Sequence, residues 1–242
     1  QKVEEELRER CRQAGVLRMD ADTVSGDHEA LLEKFEKEKI PILLGTQMVA
    51  KGLDFENVTL VGVVAADLGL YIDNYHAAER TFSLLTQVVG RAGRGSKDGR
   101  AVIQTFTPGN EVITSAAAQD YNSFYAGEIR IRRARRYPPF ADVFTLTVSG
   151  VEEGAVLRAA AQLREAMRGG LRYPTAANMN VEILGPASAP VVKVNNRFRY
   201  RVFWIGKNDH TTRELLAYYV RAFHQKKENR GLNLFVDCNA ED

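Results

Sequence analysis

The chain has 242 residues, of which 45% are hydrophobic and 26% are charged, and its formal net charge at pH 7 is +2. This composition is typical of globular domains with hydrophobic cores, and the length allows one large or two smaller domains. No run of about 18 apolar residues occurs and the first residues are charged, so we expect neither a membrane span nor a secretory signal. Two isolated cysteines, Cys11 and Cys238, predict a reducing cytoplasm rather than a disulfide framework.

Residues 1–107 alternate between amphipathic helices and short apolar strands. The predicted helices are residues 2–14, HEALLEKFEKEK and residues 75–90, and the predicted strands are VLRMD, PILLGT, VTLVGVVAAD and RAVIQTF. Short apolar strands that alternate with helices predict a parallel sheet covered on both faces. We therefore expect an α/β unit, which we interpret as truncated because it opens in a helix with no strand before it.

The second half of the chain follows a different order. Residues 108–137 are predicted to be a helical linker that ends at Tyr137, where two prolines follow. Residues 138–242 are then predicted to form, in order, a strand (140–149), a helix (152–168), two strands (181–184 and 198–205), a helix (210–228) and a strand (232–237). This order predicts an α+β domain with the ferredoxin-like arrangement.

The stretch LLTQVVGRAGRG carries the first candidate site. Gln87, Arg91 and Arg94 are spaced to project from one side of a helix and its C-terminal extension, while Gly90 and its neighbouring glycines allow another surface to approach. A guanidinium group stays charged and matches phosphate oxygens, which favours a polyphosphate ligand supplied from elsewhere. The alternative is a solvated helix end, where cations interact favourably with the helix dipole.

The stretch GTQMVAKGLDF, residues 45–55, carries the second candidate site. It follows a predicted strand at the carboxyl edge of the sheet, where α/β folds bind ligands. Thr46 could bind a backbone phosphate, and Asp54 could accept from a ribose hydroxyl or from an arginine. The alternative is that Thr46 caps the strand end and Asp54 belongs to a turn.

Together the two stretches resemble motifs V and VI of superfamily 2 helicases, with the patterns T-x-x-x-x-K-G-x-D and Q-x-x-G-R-x-x-R. Within that superfamily the chain is most similar to the primosomal protein N′ family of bacterial replication-restart DNA helicases. LRMDADT, AERTFSLLTQVVGRAGRG, RYPPF and EILGPASAP carry this likeness, which runs nearly end to end. The resemblance implies that residues 1–107 are a second RecA-like helicase lobe.

The resemblance also implies roles for individual residues. In such helicases ATP lies between two lobes, and arginines of the second lobe stabilise charge on the γ-phosphate. Arg94 is the first candidate for this catalytic role and Arg91 the second, with Gln87 beside them. Nucleotide binding and coupling would involve Gly52, Asp54 and Gly90, and DNA binding would involve Thr46, Gln47 and Lys51.

Several features of the family are missing from this sequence. It contains neither the phosphate loop G-x-x-x-x-G-K-[ST] nor a D-E-x-[HD] run, which would hold ATP and Mg²⁺ in the first lobe. The cysteine-rich zinc insertion is also absent. We therefore expect a C-terminal fragment that binds no cofactor and hydrolyses no ATP by itself, with a non-catalytic adaptor as the alternative function.

Two arginine-rich stretches lie in the second half. RIRRARR, residues 130–136, is either a solvated helix or a helix that faces phosphates. In NRFRYRVFW, residues 196–204, alternation predicts one arginine face and one aromatic face, and the aromatic face is either core or a platform for bases.

The family resemblance extends to partners of the second half. It implies forked and single-stranded DNA, primosome proteins and the acidic tail of single-stranded-DNA-binding protein as partners, and no membrane. Arg197 and Arg201 are the candidates for the carboxylates of that tail. The alternative is that these arginines keep an exposed strand edge soluble.

Overall fold

The chain forms two compact units. The computed structural model describes residues 2–19, 28–46, 58–90, 92, 99–173 and 178–240. One unit consists of Gln1–Leu70 and Glu79–Phe124, and the other of Tyr71–Ala78 and Tyr125–Asp242. The predicted division into a lobe ending at residue 107, a linker and a domain beginning at residue 138 stays a prediction.

Parallel strands and helices alternate along residues 2–117, as the sequence predicts for an α/β fold. The helices are α1 (Lys2–Arg10), α2 (His28–Lys37), α3 (Ala77–Val89) and α4 (Glu111–Ala117). The strands are β1 (Val16–Met19), β2 (Ile42–Gly45), β3 (Leu60–Val63) and β4 (Arg100–Ile103). Strand β1 pairs with β2 and β3 pairs with β4, both in parallel. Within the described residues these strands form two separate two-stranded parallel sheets, where the sequence predicts one parallel sheet.

The apolar run VTLVGVVAAD is not one long strand. Strand β3 ends at Val63, and Ala66–Gly69 form a 3-10 helix, which we call the 3-10 turn. Ala65, just before the turn, has φ 53° and ψ 55°, a left-handed conformation that is uncommon for a residue with a side chain. The extended chain therefore stops where Ala65 bends it.

The predicted linker helix is two helices. Helix α4 begins after Asn110, whose side chain accepts a hydrogen bond from the Val112 amide. Helix α5 (Tyr121–Arg135) follows a break at Gln119, which has a φ of 54°. It ends before Pro138 and Pro139, where the sequence predicts the end of the helix.

The last part of the chain has the predicted ferredoxin-like order. Its elements are β5 (Asp142–Gly150), α6 (Glu153–Gly170), β6 (Glu182–Val194), β7 (Arg197–Gly206), α7 (His210–Gln225) and β8 (Asn233–Cys238). The sheet order is β6-β7-β5-β8, and all neighbours are antiparallel. The first and third strands thus lie in the centre of the sheet, and the second and fourth lie at its edges.

One face of this sheet carries the core. Leu146, Val148, Val202 and Trp204 are fully buried there, as are Val156 and Met167 of α6, and Leu216 of α7 is buried beside them. Phe198 and Tyr200 pack partly against the same cluster. The prediction that the aromatic face of residues 196–204 belongs to the core is therefore confirmed.

Strand β6 continues well beyond the predicted residues 181–184. It passes Pro186 and Pro190 because it is an edge strand, where a missing N–H removes no ladder hydrogen bond, and two irregularities interrupt its pairing with β7. Arg164 and Arg168 of α6 donate hydrogen bonds to the Gly185 and Ile183 carbonyls at 2.8 and 3.1 Å. These side chains satisfy carbonyl groups along the edge strand.

Candidate functional site

Gln87 lies on the exposed side of α3. The opposite side of this helix buries Thr81, Phe82 and Leu85, and the Phe82 ring stacks on Phe124 with centroids 4.1 Å apart. This spacing of buried residues is that of an amphipathic helix, so packing determines which side Gln87 occupies. The Gln87 amide is thus available to a ligand in the last turn of the helix.

Gly90 directly follows α3 in a confined position. A Cβ atom there would lie 3.1 Å from the side-chain nitrogen Nε2 of Gln119 and 3.2 Å from the backbone carbonyl oxygen of Thr86. Glycine therefore permits the close approach of the chain at the end of the helix. Arg91 and Arg94, which the sequence predicts to be the phosphate-binding pair, lie outside the described residues.

The second predicted motif begins at the carboxyl end of β2. Gly45 is paired with Met19 of β1, and both Gly45 and Thr46 are exposed. Exposed groups at the carboxyl end of parallel strands occupy the edge where α/β folds bind ligands. Gln47, Lys51, Gly52 and Asp54 lie outside the described residues, so their roles stay predictions.

Asp67 is a buried carboxylate that the sequence analysis missed. It lies in the 3-10 turn after β3 and is only 2% exposed. It accepts hydrogen bonds from the Thr105 hydroxyl at 2.7 Å, from the Phe106 amide at 2.9 Å and from the Thr107 hydroxyl. These three donors follow β4, the neighbour of β3. The sequence signal for this cluster was an aspartate after one apolar strand and two threonines after another. Adjacent parallel strands end at the same edge of a sheet, so such residues can come together there.

The hydrogen bonds determine the protonation of Asp67. The Thr107 and Thr105 hydroxyls lower the pKa of its carboxyl far below the ordinary range, and the Phe106 amide adds to this effect. Burial acts in the opposite direction and raises the pKa, but it is outweighed. Asp67 is therefore an anion at neutral pH, held by donors rather than by a cationic side chain.

Arginines along β7 alternate as predicted, but two of them bind backbone carbonyls. The Arg197 guanidinium donates to the carbonyls of Ser149 and Gly231, both at 3.1 Å. Arg199 donates through two nitrogen atoms to the Val191 carbonyl, at 3.2 and 2.9 Å. These arginines connect β7 to the backbone of neighbouring segments. Neither interpretation of the sequence, binding of an acidic tail or a soluble strand edge, included this structural role. Arg201, two residues further along β7 than Arg199, is paired with Thr147 of β5.

The arginine-rich stretch 130–136 also makes contacts within its own unit. Arg132 forms an ion pair with Glu128 at 2.8 Å, in which each side chain is 12% exposed. Its guanidinium also donates to the Pro138 carbonyl and lies 5.7 Å from the centre of the Tyr75 ring. Arg133 lies over the Phe140 ring at 4.9 Å. Part of this stretch therefore secures the end of α5, whereas Arg130 and Arg135 are exposed.

Neither a membrane span nor a metal centre is found in the described part of the chain. No helix there is long and apolar enough to cross a bilayer. No group of three or more His, Cys, Asp or Glu side chains there could hold a metal ion.

Two known protein families match this chain. Residues 1–96 match the helicase conserved C-terminal domain, and residues 133–240 match the primosomal protein N C-terminal domain. The chain is similar to the replication restart protein PriA of Bacillus subtilis, with 40% identity over 99% of this chain and 29% of that protein. PriA of Synechocystis is 41% identical over 84% of this chain and 24% of its own length. PriA of Chlamydia muridarum is 37% identical over 99% of this chain and 31% of its length. The chain thus spans less than a third of these relatives.

Proposed function

The chain belongs to the family of the replication restart protein PriA, and on this premise we propose that it is the C-terminal part of an ATP-dependent DNA helicase that restarts stalled replication forks. The order of two domains carries the proposal: a match to the helicase conserved C-terminal domain precedes a match to the primosomal protein N C-terminal domain. In addition, 99% of this chain aligns with the B. subtilis relative. The complete helicase translocates 3′→5′, promotes primosome assembly and works in the bacterial cytoplasm.

The proposed nucleotide site is shared between this chain and a first helicase lobe. The first lobe holds ATP with Mg²⁺, which neutralises charge on the phosphates, and a further region outside this chain holds zinc. Arg94 and Arg91 stabilise the charge that develops on the γ-phosphate. Gln87 adds an amide at the same end of α3, and its exposed position supports this role. This chain alone hydrolyses no ATP because it has no phosphate loop.

The proposed DNA contacts begin at the end of β2. Thr46, Gln47 and Lys51 bind phosphates of the strand along which the helicase moves, and the exposure of Thr46 supports this assignment. Gly52 and Asp54 couple closure of the two lobes to these contacts, and Gly90 allows the approach of the opposite lobe. Of these residues, Thr46 directly follows the carboxyl end of β2, which is the edge where α/β folds bind ligands.

The C-terminal domain is proposed to bind forked DNA, primosome proteins and the acidic tail of single-stranded-DNA-binding protein. Arg197 and Arg201 are the candidates for the carboxylates of the tail. Arg197 already donates to two backbone carbonyls through one terminal nitrogen, so a carboxylate must bind its other N–H groups.

ATP hydrolysis with and without forked DNA tests this proposal. We expect the complete protein to hydrolyse ATP when DNA is present and the 242-residue chain to show no turnover under the same conditions. Binding of forked DNA by the chain without turnover in the complete protein would favour the adaptor function. Turnover by the chain alone would contradict the assignment of the phosphate loop to a missing lobe.

A further inference from the structure

The 3-10 turn is held on one side by hydrogen bonds to the segment after β4. Asp67 provides the acceptor oxygens, and Thr105, Phe106 and Thr107 provide the three donors. Because the carboxylate is buried and the Ala65 backbone before it is left-handed, the turn has little freedom to move relative to β3 and β4.

On its other side the turn packs directly against α3. A Cβ atom added at Gly69 would overlap the hydroxyl oxygen of Thr81, while the Thr81 Cβ would lie at an ordinary contact distance of 3.5 Å. Thr81 is only 4% exposed, and its hydroxyl has no hydrogen-bond partner in the described part of the chain. Gly69 therefore allows the helix to lie closer to the turn than any other residue would allow.

We propose that the 3-10 turn positions α3, so that Asp67 and Gly69 together determine where Gln87 meets the nucleotide. Thr81 and Gln87 are six residues apart on one helix, which corresponds to about 9 Å along a rigid axis. A displacement of the helix at Thr81 is therefore carried to the end that precedes the arginines. We assign Asp67 and Gly69 as positioning residues, because the Asp67 carboxylate is buried among its three donors and Gly69 faces Thr81 of α3. The inference rests on the proposed function.

Gly69→Ala in the complete protein is the primary test. A methyl group at residue 69 pushes α3 away from the turn by roughly 1 Å, and a misplacement of that size lowers catalysis by about 10²-fold. We expect kcat for DNA-stimulated ATP hydrolysis to fall by that factor, while the affinity for DNA and KM for ATP change by less than about twofold.

A second substitution at Thr81 separates positioning from general damage. Thr81→Ala removes the atom that the new methyl group overlaps, so Gly69→Ala with Thr81→Ala recovers most of kcat. Thr81→Val keeps the branched shape, so Gly69→Ala with Thr81→Val stays as impaired as Gly69→Ala alone. Leu68→Ala is the matched control in the same turn, because Leu68 is 71% exposed and its replacement leaves kcat unchanged.

Asp67→Asn provides an independent test, and it is decisive if Gly69→Ala fails to fold. The Asp67 carboxylate accepts from its donors through two oxygen atoms, whereas the side-chain amide of asparagine has only one acceptor oxygen. The substitution therefore loosens the turn, and we expect kcat to fall while KM for ATP is unchanged. Normal kcat in both Gly69→Ala and Asp67→Asn would overturn the inference, and so would equal recovery by Thr81→Ala and Thr81→Val. If the unmodified complete protein hydrolyses ATP with DNA and these variants do so equally well, the inference fails while the proposed function stands.

Discussion

The Asp67 carboxylate accepts a hydrogen bond from the Thr105 hydroxyl at 2.7 Å, although the two residues lie 38 positions apart in the chain. This bond joins the segment after β3 to the segment after β4, and the Phe106 amide and the Thr107 hydroxyl reinforce it. The carboxyl ends of two adjacent strands are thereby held together next to α3, which carries Gln87.

The free energy of unfolding should depend on pH through Asp67. Its pKa is lowered in the folded chain, so the unfolded chain binds the proton more tightly. The stabilisation by Asp67 is complete above its unfolded pKa of about 4 and is lost as the pH falls toward the lower folded pKa. We expect Asp67→Asn to lower the urea midpoint at pH 7 and to lower it less at pH 3, as measured by circular dichroism.

Asp73→Asn is the control for this pH dependence. Asp73 is an exposed aspartate six residues later in the sequence, so its replacement should leave the urea midpoint unchanged at both pH values. If Asp67→Asn lowers the urea midpoint equally at pH 7 and pH 3, the ionised form of Asp67 contributes nothing to stability.

Arg197→Ala should destabilise the ferredoxin-like domain. The substitution removes both charge-assisted hydrogen bonds, to the Ser149 and Gly231 carbonyls, and we expect the free energy of unfolding to fall by about 1–3 kcal/mol. Arg230→Ala serves as the control, since Arg230 is an exposed arginine next to Gly231. Unfolding in urea measures both variants. Unchanged stability in the Arg197 variant, combined with weaker binding of an acidic peptide, would mean that its role is recognition alone.

Gly170→Ala should damage the packing of α6 against α7. A Cβ atom at residue 170 would overlap the Tyr219 hydroxyl oxygen, and Tyr219 is a buried residue that is 7% exposed. Overpacking of this kind lowers the free energy of unfolding by about 1–3 kcal/mol. In the Tyr219→Phe background the overlapping atom is gone, so the same substitution should be less damaging. A double-mutant cycle measures the difference, and strict additivity would contradict the direct contact.

The sequence predicted the parts of the fold that depend on local pattern. The alternation of arginines with aromatic and apolar residues along 196–204 predicted that Trp204 belongs to the core, where the structure has it. The order of strands and helices predicted the ferredoxin-like arrangement. These features follow from periodicity, which each segment carries independently of the others. Strand β6 runs past Pro186 and Pro190 and is longer than predicted, because a local pattern does not reveal that a strand lies at an edge.

The candidate site was predicted less completely for a physical reason. Gln87 and Thr46 were identified from motif spacing, and both are exposed at the ends of their elements. Asp67 was missed because its importance depends on donors after a different strand, and the pairing of β3 with β4 is what brings them together. The structural contacts of Arg197 were missed for the same reason, since both carbonyls belong to residues distant in sequence.

The most direct test of the account is Arg94→Ala in the complete protein, with Arg100→Ala as the control. Arg100 is an exposed arginine at the start of β4, and we expect its replacement to leave ATP hydrolysis unchanged. An arginine that stabilises the transferred phosphate contributes about 10³-fold or more to turnover, so Arg94→Ala should lower kcat by that factor while affinity for forked DNA stays within about twofold. Loss of DNA affinity with normal turnover per bound complex would contradict the account.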